Sequence, residues 1–280
     1  MNPPRKIFGL IGYPVEHSLS PFMHNAAFKA LDINAKYELF ELKPLELEDF
    51  LSSLSQRNIY GLNVTIPYKE QVIAFLDKIS PEAQLIGAVN TIKASKEKLE
   101  GFNTDGAGFL RHITEDLGFD PKGKTVCVIG AGGAAKAVVV YLSKAGAKRI
   151  TIYDLENGRS QKLIVHLKES FKDVEFMQTD SIGGLNMSDS DLLINATPVG
   201  MKDSDPLIVS EGVIHKGLLV YDLIYNPKET KLLKLAKEKG ARVSNGLGML
   251  LYQGMLSFEI WTGRLAPSEI MRKALEDKLC

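Results

Sequence analysis

The sequence predicts an α/β protein that consists of two α/β domains. Short strand-like runs alternate with helical patterns along most of the chain, which is typical of this fold class. From about residue 123 onward the predicted strands are uniformly apolar, as expected for a parallel sheet that helices cover on both faces. The chain has 280 residues, of which 45% are hydrophobic and 24% are charged, so it is long enough to bury two cores.

Predicted strands and helices follow each other in two regions. From residue 5 to about 105, the strands are KIFGLIG, KYELFEL, GLNVTI and GAVNTIKA, and the helices are PFMHNAAFKAL, LEDFLSSLSQ and EQVIAFLDKI. The second region runs from about 123 to 244. It comprises, in order, the strand KTVCVIG, a helix to Ala145, the strand RITIYD, a helix beginning near Asn157, the strands DLLINAT and LLVYDLIY, the helix KETKLLKLAKEKG and the strand ARVSN.

A strongly apolar helix, GLGMLLYQGMLSFEIWTG, follows the second predicted sheet. Such a helix must bury most of its circumference, and we expect it to pack against the first domain. The first domain is then discontinuous in sequence. The predicted domains are residues 1–105 together with 247–280, and residues 106–246.

The charge balance and the cysteine count argue against several kinds of partner. Lysine plus arginine and aspartate plus glutamate both number 34, so no excess positive charge favours nucleic acid or an anionic membrane. Apolar stretches fall short of the roughly 18 to 20 residues that span a bilayer, and the N-terminus lacks a secretion signal, so we expect a cytoplasmic protein. Cys127, Cys280, His17 and His24 give neither a disulfide framework nor a metal-ligand pattern, so no metal is expected.

The stretch VCVIGAGGAAKAVVVYL predicts a dinucleotide-binding turn between a strand and a helix. Gly130 permits the tight turn, Gly132 lets the backbone approach a pyrophosphate, and Ala135 keeps the helix close to the strand. The next strand ends in Asp154, 24 residues after Gly130, where a carboxylate can accept hydrogen bonds from a ribose. S-adenosylmethionine is the alternative ligand. Asp154 favours NAD over NADP, although Arg159 could still contact a 2′-phosphate.

Polar residues interrupt apolar runs at several further places. Ser20 and Pro21 are expected to cap a helix, and Ser18 adds a second hydroxyl, suited to a carboxylate. Gln253 lies within the apolar helix, where its amide needs either a structural bridge or a ligand. The other polar residues singled out are Asn90, in IGAVN, Asp105, in GFNTDGAGF, and Asn195 and Thr197, which end a predicted parallel strand.

Lys69 is an unusual residue in the stretch GLNVTIPYKE. Pro67 and the spacing of Val72 and Phe75 predict a helix that begins near Pro67, which puts the lysine charge in the first turn, misplaced by roughly 0.3–1 kcal/mol. From the local sequence alone, the simplest interpretation of Lys69 is a surface lysine beside Glu70 whose charge is solvated, at small cost.

Together, these stretches resemble the shikimate dehydrogenase family, including its quinate/shikimate branch. The matching stretches are GYPVEHSLSPFMHN, GLNVTIPYKE, IGAVNTI, GFNTDGAGF, VIGAGGAAKA, INATPVGM, YDLIYNP and NGLGMLLYQG, between residues 12 and about 254. The resemblance implies a substrate-binding domain and a Rossmann-type NAD(P)-binding domain with a cleft between them. It also implies reversible oxidation of shikimate to 3-dehydroshikimate by hydride transfer, without a metal, in a monomer or homodimer.

The resemblance assigns roles to individual residues. Lys69 and Asp105 form the catalytic acid–base pair. The carboxylate of the substrate is held by Ser18, Ser20 and Tyr225, and its ring hydroxyls by Thr65, Asn90 and Gln253. The residues implied at the cofactor are Gly130, Ala131, Gly132, Gly133 and Ala134 at the pyrophosphate, Asp154 at the ribose, and Thr197, Leu223, Gly246 and Met249 near the ribose and nicotinamide.

The sequence departs from the family pattern after the second strand of the predicted Rossmann domain. NADP-using members usually carry an Asn-Arg-Thr type motif there, whereas this chain has YDLENGR, which favours NAD. A quinate/shikimate dehydrogenase that prefers NAD is therefore the first alternative. A dinucleotide-binding regulator without catalysis is a more remote one, because a regulator does not need both Lys69 and Asp105.

Overall fold

A computed structural model describes residues 4–95 and 98–279, and Cys280 lies outside the described residues. The chain divides into two compact units. The first unit comprises Met1–Gly108 and Leu250–Cys280, and the second comprises Phe109–Met249. Each unit contains one six-stranded sheet with helices packed on it. The prediction of an α/β protein with two α/β units is therefore confirmed.

The first unit contains a mixed sheet with the strand order β2-β1-β3-β5-β6-β4. β1 pairs in parallel with both β2 and β3, whereas β5 runs antiparallel between β3 and β6. The strands are β1 (Lys6–Gly12), β2 (Ala35–Glu41), β3 (Ile59–Val64), β4 (Lys78–Ile79), β5 (Thr91–Ala94) and β6 (Leu99–Phe102). The helices up to the second unit are α1 (Ser20–Ala30), α2 (Leu47–Ser52), α3 (Pro81–Ile86) and α4 (Asp105–Arg111).

The second unit contains a fully parallel sheet with the order β12-β11-β10-β7-β8-β9. The chain order reverses between β7 and β10, and in open α/β sheets ligands bind at such a reversal. Its strands are β7 (Thr125–Ile129), β8 (Arg149–Tyr153), β9 (Glu175–Gln178), β10 (Leu192–Asn195), β11 (Leu219–Asp222) and β12 (Arg242–Ser244). Its helices are α5 (Gly133–Lys144), α6 (Asn157–Ser170) and α7 (Lys231–Glu238).

Two helices complete the chain, α8 (Leu247–Thr262) and α9 (Ser268–Leu279). No residue of α8 is exposed, because the helix is apolar on nearly all sides. Its aromatic residues Phe258 and Trp261 pack with Phe8 and Phe28 of the first unit. Helix α9 packs along α1.

The helix predicted for EQVIAFLDKI is wrong. The chain forms only a short 3₁₀ helix, Gln71–Phe75, and then enters strand β4. The reason is tertiary pairing, since Asp77 N and Ser80 N donate to the carbonyls of Leu99 and Gly101 at 3.0 and 2.8 Å. Backbone bonds to β6 therefore outweigh the local helical spacing.

The predicted cap at Ser20 is also wrong. Helix α1 begins at Ser20 itself, with Leu19 in the N-cap position and no side-chain capping bond. Instead, Ser18 Oγ accepts a hydrogen bond from Ser20 N at 3.3 Å.

In the part of the chain that the structure describes, no helix is both long and apolar enough to cross a membrane.

Candidate active site

Lys69 and Asp105 form a hydrogen-bonded ion pair in the first unit. The Lys69 Nζ lies 2.5 Å from Asp105 Oδ2, and the two side chains are only 15% and 7% exposed. Lys69 lies in a turn between β3 and the short 3₁₀ helix, and Asp105 is the first residue of α4. The expected helix N-terminus at Lys69 is therefore absent, and the charge that faces this lysine is the carboxylate of Asp105.

Asn90 holds the second oxygen of the same carboxylate. Its Nδ2 donates to Asp105 Oδ1 at 2.9 Å, and its Oδ1 accepts from the backbone N–H of Thr104 at 2.8 Å. Because a backbone N–H can only donate, the Asn90 amide has one orientation, with its NH₂ group towards Asp105. Both oxygens of Asp105 therefore act as acceptors.

Gln253 joins this group from helix α8. Its Oε1 accepts from Asn90 Nδ2 at 3.3 Å, and its Nε2 donates to the carbonyl of Leu250 at 2.8 Å. The side chain is buried, at 7% exposure. The structure thus brings Lys69, Asn90, Asp105 and Gln253 into one connected polar group, although the residues are far apart in sequence.

Thr65 directly follows β3, and Ser18 and Ser20 lie after the neighbouring parallel strand β1, between its end at Gly12 and the first turn of α1. Thr65 N donates to the carbonyl of Ile11 at 2.9 Å, and a Cβ on Gly12 would lie 2.3 Å from Thr65 Cγ2. The glycine therefore allows the two strand ends to approach closely. Ser20 is buried and Ser18 is half-buried.

Tyr225 belongs to the second unit, three residues after β11 ends at Asp222, and is half-buried. The grouping of Tyr225 with the two serines stays a prediction.

The glycine-rich turn in the second unit has a conformation that suits a phosphate group. Gly130 has a φ of +108°, which L side chains rarely adopt, and its N donates to the carbonyl of Tyr153 at 2.7 Å. A Cβ on Gly132, in contrast, would meet no atom of the described residues within 4 Å, its chain neighbours apart. Gly132 also precedes the 12-residue helix α5, and the first N–H groups of a helix have no acceptor within the helix and can bind an anion. These residues fit the pyrophosphate of a dinucleotide.

Asp154 connects this turn to the loop that follows β8. Its Oδ2 accepts from Ala131 N at 2.7 Å and its Oδ1 from Glu156 N at 2.9 Å. The carboxylate is half-buried, and each oxygen keeps a lone pair for a further donor. Arg159, an exposed residue in the first turn of α6, has its Nε 3.6 Å from Glu156 Oε2.

Thr197, Leu223 and Gly246 lie at the carboxyl edge of the parallel sheet. Asn195 Oδ1 accepts from Thr197 Oγ1 at 2.7 Å, which fixes the turn after β10. A Cβ on Gly246 would lie 2.0 Å from the carbonyl oxygen of Leu223, so only glycine allows this approach. Ala131, Gly133 and Ala134 form the start of α5 and the turn before it.

Met249 is buried near the start of α8, and its backbone N–H bonds to the hydroxyl of Tyr221. That hydroxyl also lies 2.7 Å from His112 Nδ1, and burial raises the pKa of Tyr221. His112 begins a π-helical turn, His112–Asp116, of the kind often found at functional sites.

The sequence interpretation missed several buried polar residues that support these sites. In the first unit they are Asn63, Thr91, Thr104 and Ser257, and in the second they are His112, Tyr221, Asp222 and Thr230. Asp222 is fully buried and accepts from Thr230 Oγ1 at 2.7 Å and from Asn195 Nδ2 at 3.1 Å. Burial raises the pKa of Asp222, against the effect of these hydrogen bonds. Asn63 and Asp222 each lie within an apolar strand, and this pattern in the sequence could have identified them as buried polar residues.

Comparison with known proteins gives consistent matches along the chain. Residues 10–92 match the shikimate dehydrogenase substrate binding domain, residues 112–212 match the family described as shikimate / quinate 5-dehydrogenase, and residues 246–276 match the shikimate 5′-dehydrogenase C-terminal domain. A protein of Methanopyrus kandleri named shikimate dehydrogenase (NADP(+)) is 46% identical, with 98% of this chain and 96% of the relative covered.

Solved structures agree with these matches. A shikimate dehydrogenase crystallised in complex with NADP⁺ has a TM-score of 0.90 at 41% identity, covering 99% of this chain and 96% of that chain. A shikimate 5-dehydrogenase of Listeria monocytogenes, in complex with shikimate and NAD, has a TM-score of 0.86 at 36% identity, covering 97% and 96%. This chain therefore belongs to the shikimate dehydrogenase family of oxidoreductases.

Proposed function

We propose that this chain catalyses the reversible, NAD(P)-dependent oxidation of shikimate to 3-dehydroshikimate. The observation that carries the proposal is the buried ion pair of Lys69 and Asp105, at 2.5 Å, with Asn90 and Gln253 beside it. Burying an ion pair rarely stabilises the folded state, because both charges lose their hydration. A buried pair with two further polar side chains beside it therefore indicates a chemical role. Family membership supports this assignment.

The ion pair accounts for the proton that accompanies the reaction. A nicotinamide cofactor, when bound, supplies or accepts the hydride. In the reducing direction, the Lys69 ammonium would donate a proton to the C3 oxygen of 3-dehydroshikimate, while Asp105 holds the lysine in place. In the oxidising direction, the same pair would receive the proton of the C3 hydroxyl. A positioned acid–base group contributes about 10² to 10⁴ in rate.

The remaining polar residues of the first unit would bind the rest of the substrate. Ser18 and Ser20 offer hydroxyl donors for the carboxylate, and Tyr225 would add a third. Asn90, Gln253 and Thr65 would bind the ring hydroxyls, because amides and hydroxyls can both donate and accept.

For the cofactor, we further propose a preference for NAD over NADP. The groups near the expected 2′ position are two carboxylates, Asp154 and Glu156, and one arginine, Arg159, which already faces Glu156 at 3.6 Å. A 2′-phosphate placed there would meet net negative charge. The Methanopyrus relative is named for NADP(+), whereas the Listeria structure is a complex with NAD, so both cofactors occur among the relatives of this chain.

The test is a steady-state assay of four combinations, shikimate or quinate with NAD⁺ or NADP⁺, followed by absorbance of the reduced cofactor. We expect turnover of shikimate, and a higher kcat/KM with NAD⁺ than with NADP⁺. Turnover of quinate at a kcat/KM equal to or above that of shikimate would support the quinate/shikimate alternative instead. If no combination shows turnover, the chain is not a dehydrogenase of either alcohol.

A further inference from the structure

Helix α8 carries three hydrogen-bonding residues at intervals of four, Gln253, Ser257 and Trp261, which we call the polar stripe. Residues four apart lie on the same face of a helix, one above the other. Each member is bonded to the first unit's sheet or its adjoining loop. Gln253 accepts from Asn90 at 3.3 Å, Ser257 accepts from Asn63 Nδ2 at 2.9 Å, and Trp261 Nε1 donates to the carbonyl of Ile92 at 2.9 Å.

Ser257, the middle member, lies in a dense group of polar side chains. It has no solvent exposure, and its Oγ lies 2.7 Å from Thr91 Oγ1 and 3.2 Å from Thr104 Oγ1. Ser257 Oγ also donates to the carbonyl of Gln253 at 2.9 Å. One side chain therefore connects the turn of α8 that carries Gln253 to strands β3 and β5.

These bonds fix the position of α8 along the sheet of the first unit, which apolar packing alone would not do. Hydrophobic contacts are non-directional, so an apolar helix can shift along its groove at moderate cost. Buried polar groups must stay paired, and a shift of one helical turn, about 5.4 Å, would separate every partner of the polar stripe. The fit is also close at the backbone, because a Cβ on Gly108 would lie 2.5 Å from Gln253 N.

We infer that Ser257 is a positioning residue that holds the Gln253 amide beside Asn90 and Asp105 for contact with a ring hydroxyl of the substrate. The inference rests on the proposed function. Ser257 itself contacts no reacting group and acts through Gln253. Removing its hydroxyl loosens the turn that carries the amide, while Trp261 keeps α8 attached to the sheet.

A double-mutant cycle of Ser257→Ala and Gln253→Ala tests this. Ser257→Ala should fold, because Asn63 Nδ2 retains the carbonyl of Asn90 and Thr91 Oγ1 as acceptors, at 3.2 Å each. We expect its KM for shikimate to rise about fivefold, with kcat and the KM of the cofactor changed by less than about twofold. In the Gln253→Ala background, Ser257→Ala should raise the KM for shikimate by less than about twofold, since the group that Ser257 positions is gone.

A matched control is Ser143→Ala in α5. It removes a buried serine that bonds to Val139 O at 2.8 Å, and it should leave the KM for shikimate unchanged.

Equal effects of Ser257→Ala on the KM for shikimate in both backgrounds would overturn the inference, because they would indicate a general structural role.

A second measurement needs no substrate. Exchange of the side-chain amide protons of Gln253, followed by NMR, should become about tenfold faster in Ser257→Ala. Unchanged exchange contradicts the positioning role itself, whereas a wild-type chain that does not turn over shikimate contradicts the proposed function and the substrate role of Ser257 with it.

Discussion

Asn90 Nδ2 donates to Asp105 Oδ1 at 2.9 Å, in an orientation that the backbone N–H of Thr104 imposes from the other side. This contact is separate from the role proposed for Asn90 as a substrate ligand. It keeps one carboxylate oxygen in place while Lys69 binds the other, so that the proposed acid–base pair has a defined geometry before any ligand enters. Preorganisation of this kind lowers the cost of reaching the transition state.

The substitution Asn90→Asp tests the contact through its pH dependence. A carboxylate at position 90 removes the donor and adds like-charge repulsion with Asp105, which raises the pKa of the introduced carboxyl group. We expect kcat/KM for shikimate to fall at pH 8 and to recover in part as pH is lowered, because the introduced carboxyl group, once protonated, can donate as the amide did. Asn90→Ala is the control and should show no such recovery. A pH profile with the same shape for both variants would rule out this role.

Gly132 allows the cofactor turn to be tested apart from stability. Because a Cβ at this position would meet open space among the described residues, Gly132→Ala should fold with an unchanged Tm. The added methyl would occupy space that a pyrophosphate needs, so the KM for the nicotinamide cofactor should rise about tenfold or more. Gly130→Ala provides the contrast, since a φ of +108° makes it lose stability as well. An unchanged cofactor KM in Gly132→Ala would place the pyrophosphate elsewhere.

Asp154 is expected to control the choice of cofactor. Asp154→Asn removes the negative charge but keeps a side-chain oxygen that can accept from Ala131 N. The ratio of kcat/KM with NAD⁺ to that with NADP⁺ should therefore fall about tenfold. Glu156→Gln is the comparison for a nearby exposed charge and should change the ratio less. If both variants shift it equally, general surface charge is responsible.

Much of the fold follows from the sequence, and the exceptions have physical causes. The uniformly apolar strands β7, β8, β10 and β11 were predicted, because burial on both faces leaves a clear pattern. Strand β9, EFMQ, was missed because it has only two apolar residues, Phe176 and Met177, between polar ones, and Met177 is exposed. The helix expected after Pro67 failed because pairing with β6, a non-local interaction, determines the conformation of β4.

The candidate site could be predicted only in part. The sequence draws attention to Lys69 through a helix N-terminus that the structure lacks, and the pairing of Lys69 with Asp105 follows only from the family resemblance. Ser257 does not stand out, because a serine in an apolar helix has no local signature, and its partners Asn63 and Thr91 lie 194 and 166 residues away. Contacts at such separations come from tertiary structure, and no periodicity in the sequence encodes them.

His24 predicts a dependence of stability on pH. Its imidazole is fully buried against Tyr37, and neither ring nitrogen has a hydrogen-bond partner among the residues that the structure describes. Burial lowers the pKa of His24 from 6.5 to about 3. Between these two values the unfolded chain binds a proton that the folded chain does not. The contribution of His24 to stability therefore falls as pH is lowered through this window, by about 1.4 kcal/mol per pH unit.

Substitution of His24 isolates this contribution. His24→Phe cannot be protonated, so its free energy of unfolding should decline less steeply than that of the wild type between pH 6 and pH 4, in urea titrations. Phe28→Leu alters the same core but leaves His24 in place. It should lower the free energy of unfolding by the same amount at every pH, so that its curve runs parallel to that of the wild type. Parallel pH curves for the wild type and His24→Phe would show that His24 is not the source.

The most direct test of the central claim is the turnover of shikimate by Lys69→Met, measured as kcat beside the Tm and the dissociation constants of shikimate and cofactor. Methionine keeps much of the length of the side chain but cannot transfer a proton. If Lys69 and Asp105 perform the proton transfer, kcat should fall about 10²-fold or more, while the variant stays folded and binds the cofactor with wild-type affinity. A kcat within a few-fold of the wild type, with shikimate affinity alone reduced, would make Lys69 a substrate ligand and contradict the account.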